Sequence, residues 1–307
     1  MSRVVVVTTS YPRVGADADG HFVATEAREL ARAHEVIVVA PCAPRHPDPR
    51  VTVVDVPGGE AFGAPGLASR LREDPRRSLA ALRFFSSLAT RVRALEPDRV
   101  VVHWPVPTAL MMGDVTAHLP TTLVSHGACV RVLSRIPPPL RVACVKRLLR
   151  GDTRWSFVST SLRDELLAAL PADTAASVSA RSFVEAPPLE LPPREELGPP
   201  WPRRAHVIVG RLVPSKRTRH AITYAAHTEH IRHTDIVIVG DGPERASLEV
   251  HARTLGIAAH FTGALPRREA LGILAHSAGL LFASEAEGLS SVCREAAHYG
   301  VPILTVP

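Results

Sequence analysis

Arg211 and Lys216 follow a short apolar run in the stretch VGRLVPSKR, with Gly210 between the run and the first cation. Two such cations suit a diphosphate, because arginine offers a planar fork of donors and lysine a mobile point charge. Lys216 is one of only two lysines in an arginine-rich chain, the other being Lys146. An ordinary surface loop could carry the same residues. Further on, SEAEGLSSVCREAAHYGVPI sets Glu287 and Glu295 eight positions apart, across Gly288 and a helix start near Leu289. A helix running through both would separate them by roughly 12 Å. That is too far for the carboxylate pair of a glycoside hydrolase, which needs about 5–9.5 Å, and it suits two carboxylates gripping hydroxyls on two sugars of one extended ligand. The free N–H groups around Gly288, Leu289 and Ser290 would draw an anion, although the helix dipole alone also favours glutamates at a helix start.

These residues need a scaffold that brings loops together, and the apolar pattern supplies one. VVVVTT, HEVIVVAP, VTVVDV, RVVVHWP, TTLVSHG and RWSFVST read as strands buried on both faces, as in parallel sheets. Between them VATEARELARA, RRSLAALRFFSSLATRVRAL and SLRDELLAAL have the helical period of crossover helices. Prolines crowd EAPPLELPPREELGPPWPRR, residues 185–204, which reads as a linker. Alternation then restarts with AHVIVGRL, TDIVIVGDGP, AAHFTGAL, AGLLFASEAEG and VPILTVP. The expectation is an α/β protein of two doubly wound domains, 1–184 and 205–307, facing a cleft with the ligand outside the carboxyl ends of the strands. The turn Gly240-Asp241-Gly242-Pro243 reads as a tight strand-to-helix reversal with a structural purpose.

Composition narrows the classes. With 46% hydrophobic and 21% charged residues among 307, the chain is globular rather than disordered. A net charge of +6 suits an anionic partner, yet the arginines are scattered and aromatics make up only 5%, so nucleic acid is not expected. Peripheral contact with a membrane surface stays open. Four dispersed cysteines without CxxC spacing, and an N-terminus lacking a signal-peptide pattern, fit a reduced cytoplasmic setting. Asp17-Ala18-Asp19 mimics a metal-binding Asp-x-Asp but sits in the loop after the first strand, and His220, His227 and His230 read as a solvated helix face, so no metal is expected. His126 in LVSHG ends a strand and is read either as a ligand contact or as a structural hydrogen-bonder; His103 in VVHWP is the weaker candidate.

Taken together, GRLVPSK, VGDGP, FTGALPRREALGILAHSAGLLFASEAEG and the Glu287-x7-Glu295 spacing resemble glycosyltransferase family 4, retaining enzymes of the GT-B fold. SYPRVGADADGHFVATEARELARAHEVIVVAP more loosely resembles that family's first strand, glycine loop and first helix. The resemblance implies two Rossmann-like domains and a nucleotide diphosphate sugar, UDP- or GDP-linked, as donor, with no cofactor besides. It implies that Arg211 and Lys216 beside Gly210 hold the donor diphosphate and stabilise the leaving group. It also implies that Glu295 binds ribose hydroxyls, that Glu287 faces the transferred sugar, and that N–H groups of Gly288, Leu289 and Ser290 meet sugar and phosphates. Gly20 falls where the family's glycine loop lets backbone approach the ligands, and His126 matches a histidine that contacts the donor sugar.

The sequence departs from the family at Arg217, where a glycine is usual, and the family continues beyond GVPILT, so the second domain is expected to be incomplete. The expected activity is transfer of a sugar to an acceptor hydroxyl of unknown identity, in bacterial natural-product or cell-envelope glycan synthesis. The alternatives are a non-catalytic nucleotide-sugar binder or partner subunit, and a GT-B nucleotide-sugar epimerase. Oligomeric state is not legible.

Overall fold

A computed structural model describes residues 1–13, 20–45, 48–63, 67–284 and 289–307. The chain divides into two compact units, Met1–Leu189 and Glu190–Pro307.

The first unit holds a parallel seven-stranded sheet: β1 (Arg3–Val7), β2 (Glu35–Ala40), β3 (Val51–Asp55), β4 (Arg99–His103), β5 (Thr121–Ser125), β6 (Thr153–Phe157) and β7 (Ser182–Val184), in the order β3-β2-β1-β4-β5-β6-β7. Val4 to Val7 are all essentially inaccessible, which is what an unbroken valine run requires: with helices over both faces, neither face reaches water. Each such valine contributes on the order of 1.5–3 kcal/mol of burial. Helix α1 (His21–Leu30) starts at Gly20 and buries Val23, Ala24 and Ala27. Helix α2 (Arg77–Ala94) buries Phe84, Leu88 and Val92 on one stripe, and α3 (Ala128–Arg135) follows β5. Strand β7 has no counterpart among the runs read from sequence, being three residues long, partly exposed and at the sheet edge.

The second unit repeats the pattern with β8 (Ala205–Val209), β9 (Asp235–Val239), β10 (Ala259–Gly263), β11 (Gly279–Phe282) and β12 (Ile303–Thr305), all parallel, in the order β10-β9-β8-β11-β12. Alternate residues of β8, β9 and β11 feed separate cores. Val207, Val237 and Leu280 pack with Leu271 and Leu274 of α5 (Arg267–Ala275) and Ala296 of α6 (Ser291–His298). Ile208, Ile238 and Leu281 pack on the opposite face with Ile222 and Ala225 of α4 (Thr218–His227).

The proline-rich segment 185–204 divides between the units. From Glu190 onward it straps onto the second: Leu191, Leu197 and Trp201 pack against that core, the Tyr299 hydroxyl donates to Pro192 O at 2.8 Å, and Trp201 Nε1 donates to Asp235 at 2.7 Å. Prolines keep the strap extended while its apolar side chains anchor it. No described helix is long and apolar enough to cross a membrane.

Both sheets reverse their order beside the first strand, at β1/β4 and at β8/β11. In the second unit the reversal is held by glycines. Gly240, at φ 137°, lies so close to Gly210 that an added Cβ would stand 2.0 Å from its carbonyl oxygen. Gly240→Ala is therefore expected to lower the unfolding free energy by at least about 2 kcal/mol. Gly256→Ala, also left-handed but with nothing within 4 Å, should cost only about 1 kcal/mol. Urea unfolding of the two variants at equal m-value checks the difference.

Candidate functional site

In the second unit the sheet reversal places the loops after β8 and β11 side by side. Strand β8 ends at Val209 and is followed by Gly210, at φ 150°, whose N–H donates to Val239 O at 3.0 Å. The chain then exposes Arg211 and makes one tight turn over Pro214–Lys216. The Lys216 stem runs back over Gly210: a Cβ there would meet Lys216 Cε at 3.8 Å. Ser284, just past β11, donates its hydroxyl to Ser215 O at 3.4 Å and so ties the two loops. Gly210, Arg211, Lys216, Thr218, Phe282 and Ser284 line a small recess of about 20 Å³.

Arg217 caps α4 at φ 48° and ψ 36°, a left-handed conformation that glycine adopts without strain. The glycine usual in the resembled pattern is thus explained by backbone geometry, and arginine here keeps the turn while accepting the strain. The Gly240-Asp241-Gly242-Pro243 turn braces this loop. A Cβ on Gly242 would lie 2.4 Å from Leu212 O, and Leu212 N–H donates to Asp241 O at 2.9 Å.

Helix α6 begins at Ser291, two residues later than expected, with Ser290 as its cap accepting from Cys293 N–H at 3.4 Å. Leu289 precedes the cap. Glu295 lies on α6, which begins only at Ser291, so the single helix expected through both glutamates, with its separation of roughly 12 Å, does not form. Glu287 and Gly288 lie outside the described residues, as does Asp17-Ala18-Asp19.

Glu295 is 6% exposed, and its Oε1 stands 2.7 Å from Arg267 Nη1 at the start of α5. Burial pushes this carboxyl up from its ordinary range, against the pull of Arg267. Among the described residues Glu295 Oε1 has no hydrogen-bond partner of good geometry, nor has Arg267 Nη2. A buried carboxylate with acceptor capacity to spare is suited to a hydroxyl. Arg267 was not legible as a site residue, because it lies in a different motif from the carboxylate it meets.

In the first unit Gly20, at φ 72°, sits against Ser10: a Cβ would stand 2.5 Å from Ser10 O, so α1 can start this close to the loop after β1 only with glycine. His126, partly exposed after β5, packs against Phe22 and Trp104 with ring centroids 4.7 and 4.8 Å away. Its Nε2 is 2.9 Å from Nδ1 of His103, which ends β4 and is inaccessible to solvent. His103 Nε2 in turn faces Glu26 Oε2 of α1 at 3.6 Å and has no hydrogen-bond partner among the described residues. His103, ranked below His126 on sequence, is thus part of the same cluster. Glu26 went unnoticed, although a carboxylate among the buried positions of α1 was the available signal.

Burial holds His126 down at about 3, and burial followed by the neighbouring His126 holds His103 well below the usual imidazole value, so both rings are neutral near pH 7. Burial, then the charge of Glu185, pushes Glu26 up to about 7, with Arg99 pulling the other way and Glu29 adding to the rise.

Two features lie apart from these clusters. His220, His227 and His230 are exposed, and no group able to hold a metal occurs among the described residues. A larger recess of about 510 Å³ runs along edge strand β10, lined by Trp201, Arg253, His260 and Phe261, away from Arg211, Lys216 and Glu295. Its walls bring no cluster of cations or glycines together, so the chemistry is assigned to the sheet reversals despite their smaller cavity.

A carboxyl that binds its proton more tightly folded than unfolded stabilises the fold fully below its unfolded value, and that stability is lost as pH rises through the folded value. For Glu26 the window runs from about 4.5 to about 7. Glu26→Gln keeps the shape of the protonated acid, so it should match wild type at pH 4.5 and exceed it at pH 8 by up to about 3 kcal/mol, at about 1.4 kcal/mol per unit. Paired urea titrations at the two pH values check this. Arg267→Ala would leave Glu295 buried without its cation and is expected to cost about 3–5 kcal/mol at pH 7, more than Glu295→Gln, measured the same way.

The model of glycosyltransferase family 4 matches residues 20–177, and that of glycosyl transferases group 1 matches residues 194–307. The fold is similar to sucrose-phosphate synthase from Thermosynechococcus elongatus, at TM-score 0.70 and 14% identity over 99% of this chain and 81% of that one. It is similar to WaaG, a glycosyltransferase involved in lipopolysaccharide biosynthesis, at TM-score 0.62 and 15% identity over 98% and 80%. It is similar also to Anabaena Alr3699/HepE in complex with UDP and glucose, at TM-score 0.66 and 13% identity over 99% and 80%. No match was found among curated proteins. With a doubly wound sheet in each unit, cation-bearing loops at one sheet reversal and family models over both halves, the chain is a glycosyltransferase of the GT-B fold and belongs to glycosyltransferase family 4.

Proposed function

We propose that this enzyme moves a sugar from a nucleotide diphosphate sugar to an acceptor hydroxyl with retention at the anomeric carbon, without a metal. The observation that carries the reading is the convergence of Gly210, Arg211, Lys216 and Ser284 at the β8/β11 reversal. Ligands of open α/β sheets bind outside the carboxyl ends of the strands at such a point. Arg211 and Lys216 would take the diphosphate, and the backbone around Leu289 and the Ser290 cap would meet its oxygens or the sugar. The buried Glu295 carboxylate, held in place by Arg267 at 2.7 Å, supports its assignment to ribose hydroxyls. Glu287 and Gly288 are assigned to the transferred sugar from the motif alone. On the first unit, Gly20 would let backbone approach the ligands and His126 would face the donor sugar.

Catalysis in this reading is electrostatic. The departing diphosphate gathers charge that fixed cations stabilise more strongly than they stabilise the bound donor, commonly the largest contribution to such a reaction. With no enzymic nucleophile assigned, the acceptor would attack from the face the diphosphate leaves, and the leaving phosphate would take the acceptor's proton. Solved relatives hold UDP, UDP-glucose or UDP-2-fluoro glucose, which makes UDP the first base to test.

Thermal-shift titration with UDP, GDP, ADP and dTDP should raise the Tm for one nucleotide, because a ligand bound only by the folded state stabilises it by mass action. Lys216→Ala and Glu295→Ala should abolish that shift. Lys216→Ala should also slow sugar transfer about 10²–10³-fold, with wild-type product keeping the donor's anomeric configuration by NMR. Wild-type transfer rates in Lys216→Ala, or product made only by inversion, would overturn the reading.

A further inference from the structure

Glu26, His103 and His126 form a line from α1, across the end of β4, to the partly exposed His126 just after β5. The separations are 3.6 Å from Glu26 Oε2 to His103 Nε2, and 2.9 Å from His103 Nδ1 to His126 Nε2. His103 has no solvent exposure, and its Nε2 is a buried polar atom without a hydrogen bond, aimed at Glu26. Phe22 and Trp104 pack against His126 and shield the link between the two rings. A neutral imidazole carries its proton on one nitrogen only, so each ring that donates at one edge must accept at the other. The direction of the whole line is therefore the same at every link.

We propose that Glu26, acting through His103, sets which tautomer His126 presents, so that the outward Nδ1 of His126 is an acceptor when Glu26 is ionised and a donor when Glu26 is protonated. With Glu26 ionised, His103 Nε2–H points at the carboxylate, His103 Nδ1 accepts from His126 Nε2–H, and His126 Nδ1 keeps its lone pair. With Glu26 protonated, the acid donates to His103 Nε2, His103 Nδ1–H donates to His126 Nε2, and His126 carries its proton on Nδ1. The protons balance: ionisation releases the Nδ1 proton of His126 to solvent, the His103 Nδ1 proton passes to His126 Nε2, and the Glu26 proton passes to His103 Nε2. One proton leaves, and both rings stay neutral. The carboxylate contact closes from 3.6 Å to hydrogen-bond length in doing so, within reach of a small side-chain rotation.

Other charged groups surround the line without interrupting it. Glu29 of α1, Arg99 at the start of β4, Glu185 after β7 and His34 before β2 share the recess of about 380 Å³ that Glu26 lines. Arg131 of α3 lies over Gly127, next to His126. Arg99 and Glu185 act on Glu26 in opposite directions, and with Glu26 pushed up to about 7 the line is poised near neutrality.

Glu26 and His103 are positioning residues in this scheme, since neither touches a ligand. Its consequence for transfer rests on the proposed placement of His126 against the donor sugar. An acceptor there fits a sugar hydroxyl, whereas a donor fits a sugar or phosphate oxygen.

The test uses the whole chain without ligand, labelled with ¹⁵N histidine, in long-range ¹H–¹⁵N correlation spectra from pH 5.5 to 8.5. In wild type the His126 Nδ1 resonance should move from the range of a protonated ring nitrogen to that of a bare one, with a midpoint near neutrality, while Nε2 moves the opposite way. In Glu26→Gln and in His103→Asn, which break the line at different links, this exchange should be lost, and either variant suffices if the other does not fold. A His126 that keeps one tautomer throughout in wild type, or becomes doubly protonated, or switches with the same midpoint in a folded variant, would overturn the proposal. Because no nucleotide is present, such a failure is distinct from failure of the donor-site reading, which the thermal-shift titration decides.

Discussion

Strand order is the constraint on which the rest of this molecule depends. In each unit the chain winds outward from a central strand in one direction and then returns to wind in the other, so β1 meets β4 and β8 meets β11. At each reversal the loops leaving two adjacent strands turn away from one another, and a crevice opens that no helix fills. The second unit uses its crevice for cations. The first uses the same position for an aromatic and histidine cluster. Neither arrangement depends on the other unit, and each follows from parallel strands whose valines and isoleucines are buried on both faces.

Close backbone approach is what makes the second crevice tight. Gly240 and Gly242 stand where a side chain would collide with backbone, and the φ angles of Gly210 and Gly240, 150° and 137°, favour glycine. Lys216 gains a fixed path for its flexible stem, and less of its rotamer freedom is left to lose when it meets an anion. Glu295 follows a similar logic with opposite sign. Its carboxylate is buried and held by Arg267, at a desolvation cost that a lone surface glutamate would not bear. Groups held in costly positions with capacity to spare are what a binding site requires, and the two cores on either face of β8–β12 supply the stability that offsets them.

Much of this was legible in the sequence for a simple reason. Strands buried on both faces must be apolar, so most of the strands announce themselves as short runs of Val, Ile and Leu, with β6 and β10 marked instead by aromatic residues between flanking turns. Strand β7 does not, because three partly exposed residues at a sheet edge carry no pattern. The start of α6 was expected near Leu289, directly after Gly288, whereas Ser290 caps the helix and it begins at Ser291, two residues later. Gly210, Arg211 and Lys216 were legible because they lie within one loop. Arg267 and Glu26 were not: each meets its partner across the fold, α5 against α6 and α1 against β4, and no local spacing encodes such a meeting.

His103 shows most clearly what sequence reading cannot weigh. Taken alone, a histidine at the end of a buried strand is most simply a structural hydrogen-bonder, and His126 has the same description. What separates the two is position across the sheet. β4 is the neighbour of β1, so His103 lies beneath α1 and is sealed from water, whereas His126, just after β5, sits one strand further out and keeps partial access. The same adjacency that seals His103 also points its free nitrogen at Glu26. The partly exposed ring is therefore not an isolated imidazole: its inner nitrogen faces His103, and His103 in turn faces Glu26.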